Sequence, residues 1–286
     1  MNIQWFPGHM TKARRMIEED VKLVDVVVEL LDARIPYSSK NPDVRDYIRQ
    51  KPHLLVLNKA DIADAAVTQE WISYYHAKGI PAVEADSVHG GGVARVFDAV
   101  RRTLSDKLER EREKGFVNKK IKMMIVGVPN VGKSSFINKV AKRASAKTGD
   151  KPGVTRGKQW IRLQDGYELL DTPGILWPRF DDQSVGMKLA FTGAVKDEIM
   201  DVEELACALL GILRSRYPQR LLERYQLESL ECEMDYELLE RIAKKRGFLV
   251  AGGQLDTRRA AIILLDEFRG ARLGKISLER PEDCDG

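Results

Sequence analysis

Gly127-Val-Pro-Asn-Val-Gly132-Lys133-Ser134 fits the phosphate-loop pattern G-x-x-x-x-G-K-[ST]. Glycines at both ends let backbone N–H groups turn inward around a polyphosphate. Lys133 brings a point charge to the β and γ oxygens, and the Ser134 hydroxyl is placed to reach magnesium. The expected phosphate contacts therefore run along Gly127, Asn130, Val131, Gly132, Lys133, Ser134 and Ser135. Downstream, Asp171-Thr-Pro-Gly174 closes an apolar run. An Asp there can hold magnesium through water, and the Gly174 N–H can sense a γ-phosphate. Taken alone, Asp-x-Pro-Gly also makes an ordinary turn. Between the two motifs, Pro152-Gly-Val-Thr155-Arg-Gly157 is a loop whose Thr155 could close on magnesium, or be a plain loop threonine.

Asn58-Lys59-Ala60-Asp61 points to guanine as the base. An ionised Asp61 accepts from N1–H and the 2-amino group, a pair that adenine cannot offer. Such a charge-assisted bond is worth roughly 1.5–3 kcal/mol. Asn58 is expected at N7 and as a tie between loops, and the Lys59 stem over the ring. Asp86-Ser87 occupies the place where a backbone N–H should meet guanine O6.

These motifs need strand ends to hold them. Val24–Leu31, His53–Leu57, the neighbourhood of Ala82–Val83, Lys122–Val126, Trp160–Leu163 and Glu168–Leu170 read as strands, mostly aliphatic and several followed by Asp, Asn or Gly. Helical patterns at Thr11–Asp20, Thr68–Ala77 and Gly92–Leu108 separate them. The alternation predicts an α/β domain, a mostly parallel sheet with helices on both faces, binding ligands at the strands' carboxyl ends. The motif order is permuted: ordinary GTPases run phosphate loop, switch threonine, DxxG, NKxD, whereas here NKxD comes first. A site made of strand ends depends on where the strands sit, not on chain order. The charged, Gly-interrupted stretch 106–120 can serve as the connector that joins the old termini. After about Phe180 the strand signals stop, and helices are expected at Asp201–Arg214, Gln219–Tyr225, Tyr236–Lys245 and Asp256–Arg269. In the last, Asp256 is placed to cap, and Ala260, Ala261, Leu264, Leu265 and Phe268 form one stripe. The expected organisation is a permuted GTPase domain over 1–180 and a small helical domain over 181–286. The loop after DTPG runs straight into the latter, so nucleotide state is expected to be transmitted to it.

Composition narrows the setting. The 286 residues carry a net charge of +4. Residues 1–180 hold 31 Lys+Arg against 22 Asp+Glu, and residues 181–286 hold 16 against 21. Lys139, Lys142, Arg143, Lys147, Lys151, Arg156 and Lys158 cluster against Asp150 alone. That stretch suits polyphosphate or RNA, or is simply solvated. No apolar run is long enough to span a bilayer, and no membrane partner is expected. The start, MNIQWFPGHM, lacks the layout of a signal or transit peptide. Cys207, Cys232 and Cys284 show no metal or disulfide spacing. A cytoplasmic protein, monomeric when free, is the expectation.

The permuted motifs, Trp5-Phe-Pro-Gly-His-Met10, Asp32-Ala-Arg-Ile-Pro36 and a helical C-terminal part together resemble the YlqF/RbgA family of ribosome-biogenesis GTPases. The resemblance covers essentially the whole chain. It implies a GTPase, slow alone and stimulated by the large ribosomal subunit, that acts late in that subunit's assembly and binds its rRNA. It also implies RNA contacts in the helical domain, where Lys244-Lys-Arg246, Arg258-Arg259, Arg269 and Arg272 would carry them. Many GTPases place a water-orienting Gln after DxxG, but Ile175 stands here and cannot hold water. The resemblance gives that role to His9, whose imidazole can position or deprotonate water near neutral pH. Similarity to cation-activated GTPases suggests that Asn130 could hold potassium beside the phosphates. An Asn stabilising the loop by local hydrogen bonds is the alternative.

Other classes stay in view. An ATPase would lack Asn58 and Asp61 in register, and nucleotide competition separates the two. An RNA-bound scaffold could use GTP as a structural ligand with negligible turnover. A GTPase acting on transfer RNA or at a membrane is a third reading, weakened for membranes by the lack of a basic amphipathic anchor. A mitochondrial relative is a fourth.

Overall fold

The computed structural model describes residues 16–42, 44–48, 51–116, 119–145, 160–163, 166–170, 182–195 and 201–284. Among them, six strands form one sheet: β1 (Val26–Asp32), β2 (His53–Asn58), β3 (Ala82–Glu84), β4 (Ile121–Gly127), β5 (Trp160–Arg162) and β6 (Tyr167–Leu170). Their order is β3-β2-β1-β4-β6-β5. β1 is buried along its whole length, as a central strand covered on both faces must be. Its neighbours are β2 and β4, both parallel to it. β3 and β6 extend the parallel sheet on either side. Only β5 runs antiparallel, against β6. The few residues between β5 and β6 are too short for a crossover and allow only a hairpin.

Among the described residues, this unit has helical residues at 16–20 and the helices α1 (Val44–Ile48), α2 (Ala65–Ala77), α3 (Val93–Thr103), α4 (Ser105–Glu113) and α5 (Lys133–Ser145). Asp64 caps α2 by accepting from Ala66 N at 2.9 Å and Val67 N at 3.3 Å. One helix was expected over Gly92–Leu108; two are found, divided at Leu104. The Thr103 hydroxyl donates back to the Ala99 carbonyl at 2.9 Å, a bond that bends helices. α4 buries nothing, which agrees with its charged, connector-like sequence. One core cluster gathers Val27, Val44, Ile48, Met124, Val126 and Leu170; another gathers Leu31, Leu55, Leu57, Val67, Trp71 and Tyr75.

The chain divides into two compact units. The sheet unit takes the described residues up to 170 and also the returning segment from Glu279. The helical unit takes those from 182 to Leu278. The helical unit closes at Leu278, and the Trp71 indole, donating to the Glu279 carbonyl, ties the residues after it to the sheet unit. Among the described residues, the helical unit has α6 (Gln183–Phe191), α7 (Val202–Arg216), α8 (Pro218–Tyr225), α9 (Asp235–Arg246) and α10 (Thr257–Arg269). α7 packs on α9 and α10 through Leu205, Leu209, Leu210 and Leu213. Asp256 caps α10 by accepting from Arg259 N at 2.9 Å. Two of the arginines expected to contact RNA are held within the unit. Arg246 lies 3.3 Å from Glu267, and Arg269 donates to the carbonyls of Phe191 and Ala190 at 3.0 and 2.8 Å. Lys244, Arg258 and Arg272 are exposed. No helix among the described residues is long and apolar enough to cross a membrane.

Candidate nucleotide-binding site

The sheet register brings the sequence motifs to one edge. Asp32 pairs with Asn58, Leu30 with Gly127, and Leu57 with Glu84. β1 alone separates β2, which ends in Asn58, from β4, which leads into the phosphate loop. Motifs far apart in the chain thus become neighbours, and the permuted order is accommodated without altering the sheet.

Asn58 joins three loops. It is buried, its Nδ2 donates to the Val131 carbonyl at 2.8 Å, and its Oδ1 accepts from Ser87 N at 3.2 Å and Ser87 Oγ at 2.6 Å. Asp86-Ser87, expected beside guanine O6, form the neighbouring corner. The Ser87 N–H is taken by Asn58, and the Asp86 N–H donates to the Gly91 carbonyl at 2.7 Å. These residues shape the corner. Asp86 Oδ1 accepts from Val88 N and His89 N, each at 2.9 Å, and closes the turn.

The phosphate loop has the backbone its motif calls for. Gly132 has φ +100°, and a Cβ there would collide with Asn58 Nδ2. A Cβ on Gly127 would lie 2.6 Å from the Leu30 carbonyl oxygen. Asn130 adopts the left-handed region at φ 56°, which Asn tolerates better than most residues. The Lys133 ammonium is buried and donates to the carbonyls of Gly127 and Val128 at 2.9 and 2.8 Å. Ser134 and Ser135 are exposed in the first turn of α5, where helix N–H groups and the dipole favour an anion.

Lys59 is held from behind. Its φ of 62° is left-handed, and its ammonium lies 3.0 Å from Asp32 Oδ2. Arg34 clasps the same carboxylate, Nε to Oδ1 at 2.9 Å and Nη2 to Oδ2 at 2.7 Å. Burial works to raise the Asp32 pKa, but the charges and hydrogen bonds of Arg34 and Lys59 prevail and hold it far below the usual carboxylate range. Asp61 is partly exposed, with its Oδ2 3.7 Å from His89 Nδ1. The same nitrogen is 2.7 Å from Asp86 Oδ2. Partial burial opposes ionisation of Asp86, yet the bonds from His89 and Val88 hold its pKa below the ordinary value.

The edge therefore assembles Asn58, Lys59, Asp61, Asp86, Ser87, Gly127, Asn130, Val131, Gly132, Lys133, Ser134 and Ser135 from three stretches of chain. His9, Thr155, Asp171, Gly174 and Ile175 lie outside the described residues. The sequence reading assigned no site role to Asp32, Arg34 or His89. The signal for Asp32 was available, since it is an acid ending a strand that is otherwise wholly aliphatic apart from Glu29. His89 offered none, because its place beside Asp61 depends on the turn closed by Asp86.

A family model described as a 50S ribosome-binding GTPase matches residues 122–242. The chain is 48% identical over 283 residues to a protein of Bacillus cereus named ribosome biogenesis GTPase A, covering 99% of this chain and 95% of that one. A Thermotoga maritima protein of the same name is 33% identical, over 98% of this chain and 95% of its own. Among solved structures, GNP-bound YlqF from T. maritima superposes with a TM-score of 0.65 at 30% identity, covering 95% of this chain and 99% of that one. A GDP-bound YlqF structure gives a TM-score of 0.67 at 29% identity, covering 94% of this chain and all of that one. The sheet unit is accordingly a circularly permuted phosphate-loop GTPase domain. Full-length similarity at these identities places the chain in the ribosome biogenesis GTPase A family.

Proposed function

We propose that this protein binds GTP, hydrolyses it to GDP and phosphate, and acts in the cytoplasm as an assembly factor for the large ribosomal subunit, contacting its rRNA. The observation that carries the nucleotide reading is Asn58, whose one buried side chain fastens the loop after β2, the Ser87 corner and the phosphate loop together. In this reading Asp61 accepts from guanine N1–H and the 2-amino group, and the Lys59 stem lies along the base while Asp32 holds its ammonium. Ser87 acts by orienting Asn58. Lys133, held by carbonyls of its own loop, puts its charge among the phosphates.

The donor set fits magnesium. Ser134 offers a hard hydroxyl oxygen at the head of α5, and the sequence adds Thr155 and Asp171, oxygen ligands of the type that ion prefers. Bound there, magnesium supplies positive charge against the developing negative charge on the phosphate oxygens. Asn130 would contribute an oxygen to potassium. His9 orients the attacking water, since Ile175 cannot. Hydrolysis is slow in the free protein and is stimulated by the large subunit.

The test is the GTP hydrolysis rate of the purified protein with and without large ribosomal subunits, in potassium and in sodium. Strong stimulation in potassium is expected, and lost for His9→Ala with GTP affinity retained. Subunit binding without any stimulation would favour a scaffold that holds GTP as a structural ligand. Equal rates in the two salts would remove potassium, and an unimpaired His9→Ala would remove His9.

A further inference from the structure

Glu279 is fully buried, and its carboxylate is aimed at one turn. Its Oε2 accepts from the backbone N–H of Tyr37 at 2.9 Å and of Ser38 at 3.1 Å, and its Oε1 accepts from the Ser38 hydroxyl. Its own carbonyl accepts from the Trp71 indole at 3.1 Å, and the next residue, Arg280, pairs with Glu70 at 3.0 Å. The segment is thus seated on the sheet unit at four points. It begins directly after Leu278, where the chain leaves the helical unit.

The turn that Glu279 holds leads to the base-recognition loop. Ser39, adjacent to Ser38 and likewise buried, donates through its hydroxyl to the Ile35 carbonyl at 2.7 Å and accepts from Asp32 N at 2.9 Å. Ile35 N returns to the Asp32 carbonyl at 2.9 Å. The Asp32 carboxylate then holds Lys59 at 3.0 Å. The path from Glu279 to Lys59 alternates buried or half-buried hydrogen bonds with covalent steps, from Ser38 to Ser39 and from the Asp32 backbone to its carboxylate. Its first link goes to a carboxylate, whose hydrogen bonds are stronger than neutral ones. A carboxylate taken wholly out of water needs such compensation, and residues 37 and 38 supply three bonds of it.

We propose that Glu279 is a positioning residue for guanine-nucleotide binding: it fixes the 36–40 turn, which fixes Asp32, which holds Lys59 against the base. The proposal rests on the reading that Lys59 contacts the base. It assigns the C-terminal segment a role in nucleotide affinity as well as in closing the fold.

The experiment is release and equilibrium binding of a fluorescent GDP on the full chain, for Glu279→Ala, Glu279→Gln, Lys59→Ala and the double variant Glu279→Ala with Lys59→Ala. Glu279→Ala is expected to weaken GDP binding roughly three- to thirtyfold, the range of couplings carried through packed networks. Glu279→Gln keeps an acceptor for the two N–H groups and a donor for the Ser38 hydroxyl, so it should stay within about twofold of the parent. In the Lys59→Ala background the Glu279→Ala effect should vanish, because the path has lost its end. A general loss of structure would instead weaken binding equally in both backgrounds and would overturn the proposal. Unchanged GDP binding in Glu279→Ala, with Lys59→Ala impaired, would overturn it while leaving the base contact intact. Parent-like binding by Lys59→Ala would sink the base contact and the proposal with it. If Glu279→Ala does not fold, Ser38→Ala removes one of the three bonds, and its effect must likewise disappear without Lys59.

Discussion

Asn58 and Gly132 are shaped to each other. The Asn58 amide reaches the phosphate loop at the Val131 carbonyl only because Gly132 has no Cβ in its way. Gly132→Ala therefore meets two obstacles, a φ of +100° and a collision with Asn58 Nδ2. Backbone strain of this kind costs about 1–3 kcal/mol, so nucleotide affinity should fall roughly five- to 150-fold. Titration with fluorescent GDP checks it. Asn58→Ala in combination should recover none of the affinity, since it removes the clash but also the tie. Recovery would show that the collision alone was at fault.

Asp61 is the residue on which base choice turns. Asp61→Asn replaces an acceptor with an amide donor, which repels the 2-amino group of guanine and suits the 2-oxo group of xanthine. GDP affinity should fall by more than about tenfold, while xanthosine diphosphate gains. Competition between the two nucleotides on parent and variant measures the exchange. An unchanged preference for GDP would place the base elsewhere.

Asp32 links recognition to stability. Asp32 and Arg34 are 2% and 1% exposed, and the carboxylate is shared with Lys59. Removing its charge in Asp32→Asn takes the carboxylate away from the buried Arg34 guanidinium and should destabilise the chain by about 3–5 kcal/mol. Its folded pKa is depressed, so the stability it provides is present above the unfolded value near 4 and is lost as pH falls below it towards the folded value. Urea unfolding at pH 7 and at successive points below pH 4 should show the parent losing stability faster than Asp32→Asn. Parallel curves would mean that Asp32 takes no part in the acid response.

Much of this was legible in sequence because it is local. The phosphate loop is a run of eight residues, and the strands that hold it are mostly aliphatic, broken only by Glu29 in β1 and Lys122 in β4, with NKxD at the end of β2. Helix α6 was missed because Ser184, Val185 and Gly186 are weak helix formers in succession, and the usable signal was the Asp182 cap. What sequence could not reveal is non-local pairing. Ser87 meets Asn58 across 29 residues, and Glu279 meets Ser38 across 241. No periodicity encodes such partners. Asp32-Ala-Arg-Ile-Pro36 entered only as a resemblance, and its physical content, a carboxylate clasped by Arg34 behind Lys59, needed coordinates.

The helical unit contains a comparable buried acid. Glu267 is 3% exposed and receives Arg224, Arg246 at 3.3 Å, and the Tyr225 hydroxyl at 2.9 Å. Burial would raise its pKa, but the bonds from Arg224 and Tyr225 lower it below the ordinary value. The two arginines are about a third exposed and can turn to water, whereas Tyr225 is buried and cannot. Glu267→Ala should therefore cost about 1–3 kcal/mol, chiefly through the stranded Tyr225 hydroxyl. Arg224→Ala should cost well under that, in the range of about 0–1 kcal/mol typical of exposed pairs. Thermal unfolding of the full chain, at about 2–4 °C per kcal/mol, resolves the difference. Equal losses in the two variants would move the weight of the cluster from Tyr225 to the arginines. Glu267→Ala with Tyr225→Phe should then be no worse than Glu267→Ala alone, because the second change removes the group that the first left unpaired.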